Sequence, residues 1–89
     1  MIPSIGRIVH YKLGPSDVDA INHQRAMHGG SGNSVAVGQV YPAMIVRTWG
    51  DSPESLVQLQ VFLDGNDTFW ATSRRQGENE IEWREPPRV

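Results

Sequence analysis

Apolar and polar residues alternate along Leu56–Asp64 (LVQLQVFLD). Val57, Leu59, Val61 and Leu63 fall on one side, with Gln58, Gln60 and Phe62 between them. A period of two places successive side chains on opposite faces of an extended chain, so this segment reads as a strand with one buried face. Ile5–Leu13 (IGRIVHYKL) and Gln39–Trp49 (QVYPAMIVRTW) are rich in β-branched and aromatic residues and read the same way. Pro42 cannot donate to a ladder, so the second of these is expected to begin irregularly or to lie at an edge there. Gly50–Pro53 is a turn, and Asp64-Gly65-Asn66-Asp67 is a tight hairpin signal before a return strand over Thr68–Ser73. Gln76–Asn79 turns again, and Glu80–Arg84 is a short last strand that Glu85-Pro86-Pro87 ends.

Between the first two strands the period changes. Gly14-Pro15 stops the strand, and Ser16 has the character of a helix N-cap, with Asp17 and Asp19 in the first turn where the helix dipole favours negative charge. Val18, Ile21 and Arg25 share a face, and Gly29-Gly30 ends a short, weakly amphipathic helix with His28 in its last turn. Gly29–Gly38 (GGSGNSVAVG) carries four glycines in ten residues. It reads as a mobile linker or as a binding loop, and composition favours the linker.

Successive hairpins imply antiparallel pairing, and a single sheet of this size must curl or be covered to hide its apolar face. The expected fold is therefore mainly β with one helix (α+β), a small antiparallel SH3-like half-barrel of about five strands, forming a single domain over residues 1–89. A domain of 89 residues has a thin core, and such domains often gain stability by pairing with copies of themselves, so a homo-oligomer is expected.

A net charge of −2 argues against binding a nucleic acid polymer, which calls for a basic face. The absence of cysteine removes disulfides, thiolate metal sites and thiol nucleophiles, and favours a cytoplasmic location. There is no apolar run long enough to span a membrane, and the first residues lack the order of a signal peptide.

Groups for catalysis are sparse. His23 and His28 are five apart rather than four, so they do not form the helical metal pair, and the serines lack a nucleophile-elbow context. Asp64 and Asp67 flank a turn, where carboxylates commonly cap their own backbone. The glycine loop is not followed by the Lys-Ser/Thr of a phosphate-binding loop. No enzyme activity, cofactor or metal is expected.

Groups for binding are better represented. Trp49, Trp70 and Trp83 sit at or near strand ends, where they could be core or could line a pocket or a subunit interface. Alternation puts Trp70 and Thr72 on one face of their strand, and Gln58 and Gln60 share a face of its neighbour. Indole, hydroxyl and amide together suit a planar heterocycle, and Arg47 and Arg74 (with Arg75 beside it) could grip phosphate. Solvated sheet edges are the alternative reading of the arginines.

The segments IGRIVHY (5–11), DAIN (19–22), GQVYP (38–42), IVRTWG (45–50) and QVFLDGNDTFW (60–70) resemble a group of small bacteriophage proteins. That resemblance covers nearly the whole chain outside the glycine loop and implies a phage or prophage origin with no assigned enzyme chemistry. A second resemblance is confined to the last third: Asp64-Gly65, then Trp70-Ala71-Thr72-Ser73, then Glu82-Trp83 is similar in order to the Thoeris anti-defence sponge family. It implies an oligomeric protein of the host cytoplasm that sequesters a cyclic nucleotide immune signal without cleaving it, with Trp70 and Ser73 in the pocket. The expected function is thus sequestration of a small anionic, nucleotide-like ligand at Trp70, Thr72, Ser73, Arg47, Gln58, Gln60, Trp49 and Arg74. The alternative is a structural or protein-interaction adaptor docking a host or virion protein.

Overall fold

A computed structural model describes residues 1–87 of the chain. The protein is mainly β, with elements in the order β1 (Ile8–Lys12), α1 (Pro15–His28), β2 (Val40–Thr48), β3 (Val57–Phe62), β4 (Thr68–Arg74) and β5 (Trp83–Arg84). The strands form one antiparallel sheet in the order β4-β3-β2-β1-β5. With α1 on one face, it is the small α+β antiparallel half-barrel that the alternation predicts. Its thinnest dimension is 20 Å, the depth of one sheet and one helix layer at about 10 Å each.

The buried face is built from alternate strand positions. Val9 and Tyr11 of β1, Ala43 and Ile45 of β2, Val57, Leu59 and Val61 of β3, Phe69 and Ala71 of β4, and Trp83 of β5 pack with Leu13 and with Ile21 of α1. Each buried aliphatic side chain stabilises the fold by about 1.5–3 kcal/mol. Pro42 lies where β2 has β1 beside it but not β3, whose pairing begins at Ala43, so the missing N–H breaks no ladder bond on that side.

Two register shifts bend the sheet at the same end. β2 gains a residue at Val46, between the pairs Ile45/Leu59 and Arg47/Gln58. β4 gains one between Ala71 and Arg74, so Thr72 and Ser73 both oppose Gln58. Ser73 adopts a left-handed backbone (φ 56°), and its N–H donates to Gln58 Oε1 at 2.6 Å. The bulge is thereby closed by a side-chain amide in place of the lost ladder bond.

The helix starts earlier than Ser16. Gly14 is the N-cap and Pro15 occupies the first turn, where its missing N–H costs nothing. Asp17, not Asp19, is the third helical residue, and its Oδ2 accepts the Gly14 N–H at 2.9 Å. The carboxylate also accepts from Tyr11 Oη at 2.6 Å and from Arg74 Nη2 at 3.0 Å, while Arg74 Nε donates to Tyr11 Oη at 2.8 Å. This network ties the helix start to β1 and β4 beneath the sheet. At the other end Gly29 takes the left-handed cap (φ 74°) and donates to the Arg25 carbonyl.

The glycine-rich segment is not a mobile linker. Gly32 bridges Gly65 of the β3–β4 hairpin, Asn33 N–H donates to the Asp64 carbonyl, and Asn66 N–H donates to the Ser31 carbonyl. Arg25 grips both oxygens of Asp67 and donates to the Asn33 carbonyl. A Cβ on Gly32 would lie 2.4 Å from the Asp64 carbonyl oxygen, and one on Gly65 2.5 Å from that of Ser31. These glycines serve the close approach of two backbones, which composition alone cannot distinguish from flexibility.

Candidate functional site

The end of the sheet that carries both bulges gathers most of the residues expected to bind. Directly paired residues on neighbouring strands share a face. Met44, Gln60 and Trp70 therefore form one row across β2, β3 and β4 on the face away from α1. The next row holds Arg47 and Gln58, with Thr72 and Ser73 opposite. Trp70 is 59% exposed and Trp49 54% exposed. The Arg47 guanidinium stacks over the Trp49 ring at 4.2 Å from its centroid, within cation–π range. Ile8, Val40, Val46 and Phe62 add apolar surface to the same side.

One expected site residue, Arg74, stands apart from this face, as does Trp83, which the sequence left open between core and pocket. Trp83 is fully buried against the sheet, and its Nε1 has no hydrogen-bond partner. Arg74 pairs with Val57 on the inward side, and its guanidinium is committed to Tyr11 and Asp17. Arg74 thus holds the helix start rather than facing the row of Trp70, a correction to its grouping with the amides and the indole. The bulge causes this: the extra residue at Thr72–Ser73 flips the alternation, so Arg74 points inward. Burial, and then its hydrogen bond to Asp17, raises the Tyr11 phenol above its ordinary range.

Around the bulge, on the inward rim of the sheet, an open cleft of about 290 Å³ is lined by Leu56, Ser73, Arg74, Arg75, Ile81 and Glu82. Ser73 and Ile81 are the non-glycine residues with positive φ among the described residues (56° and 63°), and both line this cleft. A β-branched residue in that region is strained, by roughly 1–3 kcal/mol. The Ile81 side chain is 46% exposed although apolar, and its Cγ2 rests against Gly14, where a Cβ would be 2.6 Å away. Ile81 N–H donates to the Lys12 carbonyl and Glu82 N–H to the Asn79 carbonyl, which hold the turn in place. Glu82 Oε1 accepts the Asn79 N–H at 3.0 Å. The Arg75 guanidinium and the Ser73 hydroxyl make no hydrogen bond or ion pair among the described residues.

Two larger recesses differ in charge. One of about 570 Å³ is lined by Lys12, Gly38, Glu78, Asn79 and Glu80, and another of about 360 Å³ by Glu78, Arg84, Glu85 and Pro87. Each holds two carboxylates against one cation. The 290 Å³ cleft differs: besides Arg74, whose charge is met by Asp17, it sets one guanidinium, that of Arg75, against the one carboxylate of Glu82. No three His, Asp or Glu side chains among the described residues come together as metal ligands.

Ser73 entered as a candidate only through the resemblance of Trp70-Ala71-Thr72-Ser73 to the sponge family, since alternation put it on the face opposite Trp70, and Arg75 entered through its charge. Leu56, Ile81 and Glu82 were not candidates. Nothing in the sequence marks Ile81 as left-handed, because its residue type disfavours that backbone; only the packing of the 76–82 turn on Lys12 and Gly14 imposes it. No family model, curated protein or solved structure matches this chain.

Proposed function

We propose that this chain is a phage anti-defence protein of the host cytoplasm that binds and sequesters a small anionic, nucleotide-like immune signal without cleaving it. The observation that carries the reading is the 290 Å³ cleft, where the strained backbones of Ser73 and Ile81 lie beside the Arg75 guanidinium, and where that guanidinium and the Ser73 hydroxyl have no partner among the described residues. Strain of this kind persists where the surrounding structure enforces it, and it clusters at ligand sites. Arg75 would take a phosphate through its fork of N–H donors, with the Ser73 hydroxyl as a further donor and Leu56 and Ile81 as the apolar walls for a ring. The volume lies at the lower end of small-molecule sites and suits a mononucleotide-sized portion of a ligand. The resemblance of Trp70–Ser73 and Glu82-Trp83 to the sponge family supports the same class.

Isothermal titration of the full chain against cyclic dinucleotides and ADP-ribose derivatives tests this. The expected result is saturable binding that weakens about tenfold or more in Arg75→Ala, as the loss of a charge-assisted hydrogen bond implies, with the ligand recovered intact. Absence of heat with every member of the panel would sink the reading.

A second reading has its own support. The exposed Trp70, with Phe62, Val46 and Ile8 on the same side, suits docking of a host or virion protein onto the outer face of the sheet. In that case Trp70→Ala abolishes capture of a stoichiometric protein partner while Arg75→Ala does not.

A further inference from the structure

The strand β4 is an edge of the sheet, and its backbone bonding is unevenly used. In an antiparallel ladder, directly opposed pairs alternate between exchanging hydrogen bonds and making none. Leu63 N–H donates to the Asp67 carbonyl, which makes Val61/Phe69 and Leu59/Ala71 the bonded pairs by alternation along the register. The N–H and C=O groups of Thr68, Trp70 and Thr72 therefore point away from β3. Two observations agree with that parity. Gln24 Nε2 reaches the Thr68 carbonyl from outside at 2.8 Å, and the Ser73 N–H, which faces inward, finds Gln58. What remains open along the edge, among the described residues, is the N–H and C=O of Trp70 and of Thr72, together with the Thr68 N–H.

We propose that β4 pairs antiparallel with β4 of a second copy of this chain, about a two-fold axis at Ala71. In that register Trp70 of each copy opposes Thr72 of the other, and the two residues exchange both of their backbone hydrogen bonds. The four bonds across the seam use the open groups of Trp70 and Thr72 and leave the Thr68 carbonyl with Gln24. A two-fold axis at Trp70 would instead oppose Thr68 to Thr72 and would need the carbonyl that Gln24 already occupies. The central pair is Ala71 with Ala71, small enough for the close approach of about 4.5 Å between Cα atoms that a pair without bonds requires. Apart from the bulge at its end, the edge carries none of the usual guards: Thr68–Ser73 contains no charge and no proline. The opposite edge, β5, is two residues long and guarded by the Arg84–Glu78 ion pair.

The consequence reaches the outer face. Trp70 and Thr72 lie on that face, so each exposed indole would stand beside the hydroxyl of Thr72 from the partner subunit. The two sheets would become one ten-stranded sheet, with their apolar outer rows continuous across the seam. This inference does not depend on the ligand reading.

Analytical ultracentrifugation of the full chain over a range of concentrations, with amide hydrogen exchange on the same samples, tests it. The expected result is a monomer–dimer equilibrium in which the Trp70 and Thr72 amides gain protection as concentration rises. Thr72→Pro removes an N–H that faces the seam and none that faces β3, so it should weaken the dimer about tenfold or more. Trp70→Lys puts a charge on an exposed edge position and should have the same direction of effect without asking the backbone to accept proline. A chain that stays monomeric, or a dimer in which those two amides exchange freely, overturns the proposal. So does protection of these amides only when a foreign extended peptide is added.

Discussion

Tyr11, Asp17 and Arg74 show how one buried polar cluster can fix three elements. Tyr11 and Asp17 are essentially inaccessible to solvent, so the hydrogen bond between them is formed away from competing water, the two from the partly exposed Arg74 less so, and an unmet donor or acceptor there is costly. Tyr11→Phe leaves both Asp17 and Arg74 Nε short of a partner. It should destabilise the protein by about 1–3 kcal/mol, measured as a lower midpoint in urea. The same residue sets the alkaline limit. Its phenol is held above the ordinary value of 10.0, chiefly by burial and then by the Asp17 hydrogen bond. A group whose folded pKa is raised contributes stability that is complete below its unfolded value and is lost as pH climbs towards the folded one. Unfolding free energy should therefore fall as pH rises above about 10, and this slope should be smaller in Tyr11→Phe.

At the level of elements, the strap over the β3–β4 hairpin carries the clearest expectation. Arg25 at the helix end, Asn33 in the glycine segment and Asp67 at the hairpin meet in one cluster, with the Arg25 and Asp67 side chains only 12% and 10% exposed. The bidentate hydrogen bond from Arg25 holds the Asp67 carboxyl below its ordinary value of 3.8. A depressed carboxyl contributes stability that is present above the unfolded value and lost as pH falls through the folded one. Below about pH 4 the strap should loosen, read as faster amide exchange at Ser31–Asn33 and Asn66. Asp67→Asn should show that faster exchange at neutral pH and little further change on acidification. The glycines belong to this argument as well. Gly32 and Gly65 are present because two backbones touch, so the segment is ordered by the hairpin that faces it.

For the whole molecule, the two faces of the sheet have different tasks. The inward face and α1 form the core, into which Trp83 is sealed, while Trp49 and Trp70 stay exposed. Iodide should quench the emission of two of the three indoles and leave a protected remainder that Trp83→Phe removes. Pairing along β4 would shield Trp70 as concentration rises and leave Trp49 accessible. Emission that iodide quenches completely at every concentration would contradict both the burial of Trp83 and the seam. The cleft and the outer face lie on opposite sides of the same bulge. The proposed ligand at Ser73 and Arg75 and the proposed partner at Trp70 and Thr72 would therefore be neighbours along β4 and the residue that follows it.

The order of strands and helix, the hairpin at Asp64–Asp67 and the alternating core of β3 were all legible in the chain, because local periodicity and turn chemistry act over a few residues. So was the grouping of the exposed Trp70 with the half-buried Gln60, Gln58 and Thr72, which one strand register brings together. The direction of Arg74, the sealing of Trp83, the helix start at Gly14 and the order of the glycine segment were decided by tertiary structure. Each depends on what lies opposite: an extra residue in β4 reverses a side chain, and a hairpin backbone turns a flexible composition into a fixed contact. Ile81 is the extreme case, since its intrinsic preference opposes the backbone it adopts and only the surfaces packed around it supply the reason.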